Sequence, residues 1–136
     1  MECWLNGAFA LDHDAGGHLG RPLSVRLWSP LRSVFAAWRT RSLRVTGELD
    51  ADALAHRRPV DGEVRFNLRR VLYRLRFEDD EGCPCTLECA QRLELKRPPN
   101  GFSVLDGEIW LDRQRRGRAR LRLDPRGGLR GVIPWA

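Results

Sequence analysis

Three observations predict a mostly β protein, an antiparallel meander closing into a barrel-like domain with one short amphipathic helix. Apolar and polar residues alternate with a period of two from Leu43 to Leu123. Each alternating run keeps one polar face, as strands of an antiparallel sheet do and strands buried on both faces do not. One segment, residues 30–40, carries instead the helical spacing of apolar residues.

The elements follow in chain order. Cys3 to Leu11 and Leu23 to Trp28 read as strands, separated by the turn-forming Asp12-His13-Asp14-Ala15-Gly16-Gly17. Ser29 is placed to cap a helix and Pro30 to open it, and Leu31, Val34, Phe35 and Trp38 form an apolar stripe expected to lie on the sheet or plug an open end. Leu43, Val45 and Leu49 alternate with polar partners, and a short helical turn capped by Asp50 is expected to end at His56. The run Gly62 to Arg69 alternates in the opposite parity. Val71, Tyr73, Leu75 and Phe77 share a face, and beyond the turn Asp79-Asp80-Glu81-Gly82 so do Cys83, Cys85, Leu87, Cys89, Leu93 and Leu95. A last hairpin pairs Leu105, Ile109 and Leu111 with Ala119, Leu121 and Leu123 across the polar segment Asp112 to Gly117. Six to eight strands so spaced suggest closure, which removes exposed sheet edges.

Residues 1–136 form one domain on this reading: the chain is 42% hydrophobic, too apolar for disorder, and no run of about 18 apolar residues spans a membrane. Of its 24 basic residues all but Lys96 are arginine, and the net charge is +6. The segment Met1 to Gly7 lacks a basic, then apolar, leader, so a cytoplasmic location with reduced cysteines is expected.

Motifs for chemistry are few. Cys83, Cys85 and Cys89 offer thiolates for a metal or for redox chemistry, but there is no second pair of cysteines at zinc-ligand spacing, and the alternation places all three among leucines as small core residues. Asp12, His13, Asp14 and His18 have no metal-binding spacing either and read as a polar loop. There is no nucleophile elbow and no phosphate-binding glycine loop, so no catalytic, metal or cofactor residue is assigned. Arg74 and Arg76, with Arg118, Arg120 and Arg122, line the wet faces of two strands. Placed side by side they would hold an anion, whereas cross-strand Glu63, Glu88 and Glu94 would neutralise them.

The succession Leu43-Arg44-Val45-Thr46-Gly47-Glu48-Leu49, Pro59 to Val64, Leu72 to Gly82 and Gly117 to Asp124 resembles a small β-domain. That domain accompanies bacterial glucose–methanol–choline-type, sterol-oxidase-like flavin oxidoreductases and also occurs alone. The likeness covers roughly residues 40–125 and includes no flavin-binding motif. It implies a calycin-like accessory or lipophile-handling domain without a cofactor of its own.

The function expected is non-catalytic binding of an apolar small molecule, a lipid or sterol, in or at the mouth of the barrel. Trp28, Phe35, Trp38, Tyr73 and Trp110 are the candidate ligand-binding residues. The alternative is a protein-interaction module, docking on an oxidoreductase or on itself. A third reading gives the arginine face to nucleic acid, a partner that the lack of interleaved aromatic residues disfavours.

Overall fold

The computed structural model describes residues 2–14, 19–67, 70–92 and 104–124, and within them the backbone alone at residues 31, 34, 38, 92 and 124. Eight strands follow one another around a closed antiparallel barrel: β1 (Glu2–Leu11), β2 (Arg21–Trp28), β3 (Ser42–Ala51), β4 (Ala55–Phe66), β5 (Arg70–Glu78), β6 (Pro84–Arg92), β7 (Val104–Leu111) and β8 (Gln114–Asp124). The helix α1 (Leu31–Thr40) stands between β2 and β3 and packs against β3. Closure comes from β1, which pairs with β2 on one side and β8 on the other.

The ladder is steeply staggered. From Val60 the paired positions lead through Gly47 and Leu27 to Cys3. From Gly62, the next inward position, they lead the other way through Leu75, Leu87, Ile109 and Gly117 to Leu11. One circuit therefore runs from one end of β1 to the other, the tilt that closing a small barrel demands. Such coiling presses strands together, and glycine is required at the contacts: a Cβ on Gly7 would lie 1.9 Å from the Arg120 carbonyl oxygen, and one on Gly47 1.8 Å from that of Arg26.

The period-two reading accounts for the core. Leu5, Phe9, Val25, Leu49, Leu75, Leu87, Leu105, Ile109 and Leu121 are fully buried in one continuous apolar cluster inside the ring. Large and small side chains complement one another there: the rung Val64, Tyr73, Cys89, Gly107, Ala119, Phe9 sets two aromatic rings against three small residues.

Several local expectations are corrected. The Ser29 hydroxyl does not cap α1; it donates to the Arg44 carbonyl at 2.8 Å, tying the helix entry to β3, and Pro30 occupies the cap position. No helical turn spans Asp50 to His56. Asp50 and Ala51 end β3, His56 belongs to β4, and the tight turn between them holds Ala53 at φ 59. The last hairpin turns on Asp112 and Arg113 alone, both at positive φ as tight hairpins require, and Gln114 already belongs to β8. Cys83 precedes β6 and is exposed. Phe35 is 65% exposed, while Ala37, about 200° around the helix, is buried against the barrel. His18, Leu93, Leu95, Glu94 and the segment after Asp124 lie outside the described residues.

Candidate functional site

The barrel has two unlike ends. The turn end carries the connections β3–β4, β5–β6 and β7–β8, and three aspartates organise it. Asp79 is buried, and its Oδ1 accepts the amides of Glu81 (2.9 Å) and Cys83 (2.8 Å). Asp80 accepts the His56 amide at 2.8 Å and meets its Nδ1 at 2.6 Å, while its own amide donates to the Leu54 carbonyl. Asp14 accepts the Leu11 amide and a two-nitrogen contact from Arg21. The Arg21 hydrogen bond and the Leu11 amide hold the Asp14 carboxyl below its ordinary range.

The α1 end holds the other polar anomaly. Gln91 stands on the inward face of β6, opposite Val71, in series with Cys85, Leu87 and Cys89. It is 2% exposed, and its amide nitrogen has no hydrogen-bond partner among the described residues. Two further buried nitrogens share that condition, Nε of Arg58 and Nε1 of Trp110, but both belong to partly exposed residues, and the Arg58 nitrogen lies 3.7 Å from Asp80. Gln91 alone of the three is enclosed in apolar surroundings, where an unused donor costs about 1–3 kcal/mol.

The structure separates the expected binding residues. Tyr73 lies inside, on the rung below Gln91, its phenol held protonated by burial. Trp28 (52% exposed) and Phe35 (65% exposed) stand at the α1 end, facing out. Trp110 is on the outer wall toward the turn end, paired with Thr86 and Arg115. The Trp38 side chain lies outside the described residues. The structure does not bring the described ones together: Trp28 and Phe35 are exposed at the α1 end, Tyr73 is inside the ring and Trp110 is on the outer wall. The alternation places Gln91 on the buried face, and a glutamine at an apolar position is the signal by which the sequence alone would have marked it.

Cys3, Cys85 and Cys89 are packing groups, and Cys83 is exposed. Burial pushes the Cys85 and Cys89 thiols up to about 12, so neither ionises to a ligand or nucleophile at neutral pH. Asp79, Glu81 and Cys83 bring potential ligand atoms within 4.8 Å of one another, yet Asp79 Oδ1 is already used by two amides, and the neighbouring Asp79 charge raises the Cys83 thiol.

The arginines do not form one stripe. β5 and β8 are separated by β6 and β7, so the two sets of arginines are not on neighbouring strands; Arg74 and Arg118 share one rung with Glu88 and Glu108 between them. Acidic neighbours interleave: Arg74 pairs with Glu88 at 3.1 Å, Arg76 with Asp61 at 3.2 Å and Arg120 with Asp106 at 2.8 Å. Over this wall runs an open groove of about 470 Å³, floored by Leu72, Ala90 and Gly107 and rimmed by Arg65, Arg118 and Glu108.

No helix among the described residues is long and apolar enough to cross a membrane. No model of a known protein family matches the chain, and no curated protein or solved structure matches it either.

Proposed function

We propose that the protein is a non-catalytic binding domain that takes an apolar small molecule bearing a polar group, such as a fatty acid or sterol, at the α1 mouth of the barrel. The unpartnered amide of Gln91 carries this reading. Among the described inward-facing side chains it is the fully buried polar one with an unused donor, as the orienting group of an apolar site should be. Tyr73 and Phe66 supply apolar surface beside it, and Trp28 and Phe35 flank the entrance.

The test is displacement of an environment-sensitive lipophilic dye by fatty acids and sterols. Saturable displacement by wild type, with Gln91→Leu losing preference for the polar-headed ligand over its hydrocarbon, is the expected result. A wild-type protein that binds no dye, at concentrations where the dye partitions into known carriers, ends this reading.

The outer groove favours a second reading, a protein-interaction module docking on an oxidoreductase or on a second copy. Leu72, 40% exposed on the groove floor, would be its apolar contact. Concentration-dependent size in solution, abolished by Leu72→Glu, supports it over the first.

A further inference from the structure

The charge of this protein is segregated. Residues 15–47 hold six arginines (Arg21, Arg26, Arg32, Arg39, Arg41 and Arg44) and no Asp or Glu, against 24 basic and 18 acidic residues in the whole chain. The net charge of +6 therefore belongs to this stretch, and the remainder is balanced. The described part of the stretch is β2, α1 and the start of β3; Arg21 lies at the turn end of β2, and the other five arginines lie toward the α1 end. Arg21 and Arg26 are committed to Asp14 and Glu2. Arg32, Arg39, Arg41 and Arg44 are exposed around the helix.

The same surface presents large apolar side chains to solvent. On α1, Arg32 and Arg39 stand three residues before and four after Phe35, so both neighbour it on one helix face, turned away from the buried Ala37. Trp28 ends β2 just before the helix and is 52% exposed. On the adjacent strand, Trp4 is 36% exposed with the Arg26 guanidinium 5.0 Å from its ring centroid. An exposed phenylalanine between two arginines, beside outward tryptophans, is the composition of a surface that rests at a lipid–water boundary: rings enter among the acyl chains while guanidinium groups meet headgroup charge. Nucleic acid would use the arginines but leave Phe35 without an apolar environment.

We infer that the Phe35 face of α1, with Trp28, docks the protein peripherally on anionic lipid bilayers. This surface adjoins the proposed entrance to the Gln91 site, but docking does not require a bound ligand.

The test is co-sedimentation of the full chain with vesicles, either phosphatidylcholine alone or phosphatidylcholine and phosphatidylserine in equal parts. Binding to the mixed vesicles is expected, weak or absent on phosphatidylcholine, and falling at least about tenfold between about 0.1 and 0.5 M salt. Arg32→Gln and Arg39→Gln should each weaken partitioning about fivefold. Phe35→Ser, which leaves every charge in place, should weaken it about tenfold or more with an unchanged thermal melt. Failure of wild type to sediment with the mixed vesicles overturns the inference, as does equal binding to both vesicle types. Binding to a DNA oligonucleotide that depends on Arg32 and Arg39 but not Phe35, without vesicle binding, overturns it in favour of nucleic acid.

Discussion

At the turn end of the barrel, Asp14, Asp79 and Asp80 each satisfy more than one donor, and the β3–β4, β5–β6 and β7–β8 connections are short. At the α1 end, a helix without a side-chain cap leaves Phe35 and Trp28 in solvent, and the buried Gln91 amide nitrogen has no partner among the described residues. The turn end meets most of its polar groups with partners and leaves unused donors only on half-buried residues, whereas the α1 end leaves a donor on a fully buried side chain unused and two aromatic rings in solvent. Function is drawn from the less satisfied regions of a structure, because a ligand or surface gains only where the protein has left something to gain.

Four substitutions break or sharpen that contrast. The reference is Leu87→Ala in the shared core, expected to cost about 3 kcal/mol in chemical denaturation, because a side chain 1% exposed leaves a cavity that a closed ring cannot collapse. Next, Asp79→Ala strips the Glu81 and Cys83 amides of their acceptor and should cost about 2 kcal/mol, with hydrogen exchange accelerated at those amides. At the opposite end the sign reverses: Gln91→Leu should raise stability by about 1 kcal/mol, since it removes a buried donor with no partner. A loss instead of a gain would mean that Gln91 is satisfied, and the contrast between the ends would fail.

The His56–Asp80 pair gives a smaller, pH-dependent effect. Hydrogen bonding to Asp80 raises the His56 pKa above its ordinary 6.5, so this contribution is complete below 6.5 and is lost as pH climbs through the raised value. The same contact lowers Asp80 below 3.8, so its contribution is present above 3.8 and lost as pH falls through the lowered value. Both groups are exposed, so the benefit is modest and salt-sensitive. The melting difference between wild type and His56→Gln should be greatest near about pH 5 and absent by about pH 9. A difference that persists unchanged at the higher pH would show that the ion pair contributes nothing.

The sidedness of the strands was legible because it is a local property: Val71, Tyr73, Leu75 and Phe77 are buried as their spacing requires. The same logic misplaced Cys83, where Asp79 draws the chain into a turn before the strand begins. The β3–β4 turn is not legible in the sequence, because Asp50 has the chemistry of a helix cap while the residue that makes the turn, Ala53 at φ 59, carries no propensity signal for it. Spacing identifies the apolar stripe of α1 but not which way the helix faces; its attachment to β3 decides that, burying Ala37 and leaving Phe35 outside. Of the candidate site, the flanking Trp28 and Phe35 were named from sequence. Gln91 carries no such signal on hydropathy alone, because a glutamine counts as polar wherever it stands.

The pairing of β1 with β8 has a consequence for biogenesis. Glycine and leucine positions near residue 7 meet their partners near residue 121, so the seam joins the most distant parts of the described chain. During synthesis the first strand must wait, with one edge bare, until the last has left the ribosome. Chaperone dependence at that stage, rather than the stability of the finished ring, should set how much protein a cell obtains.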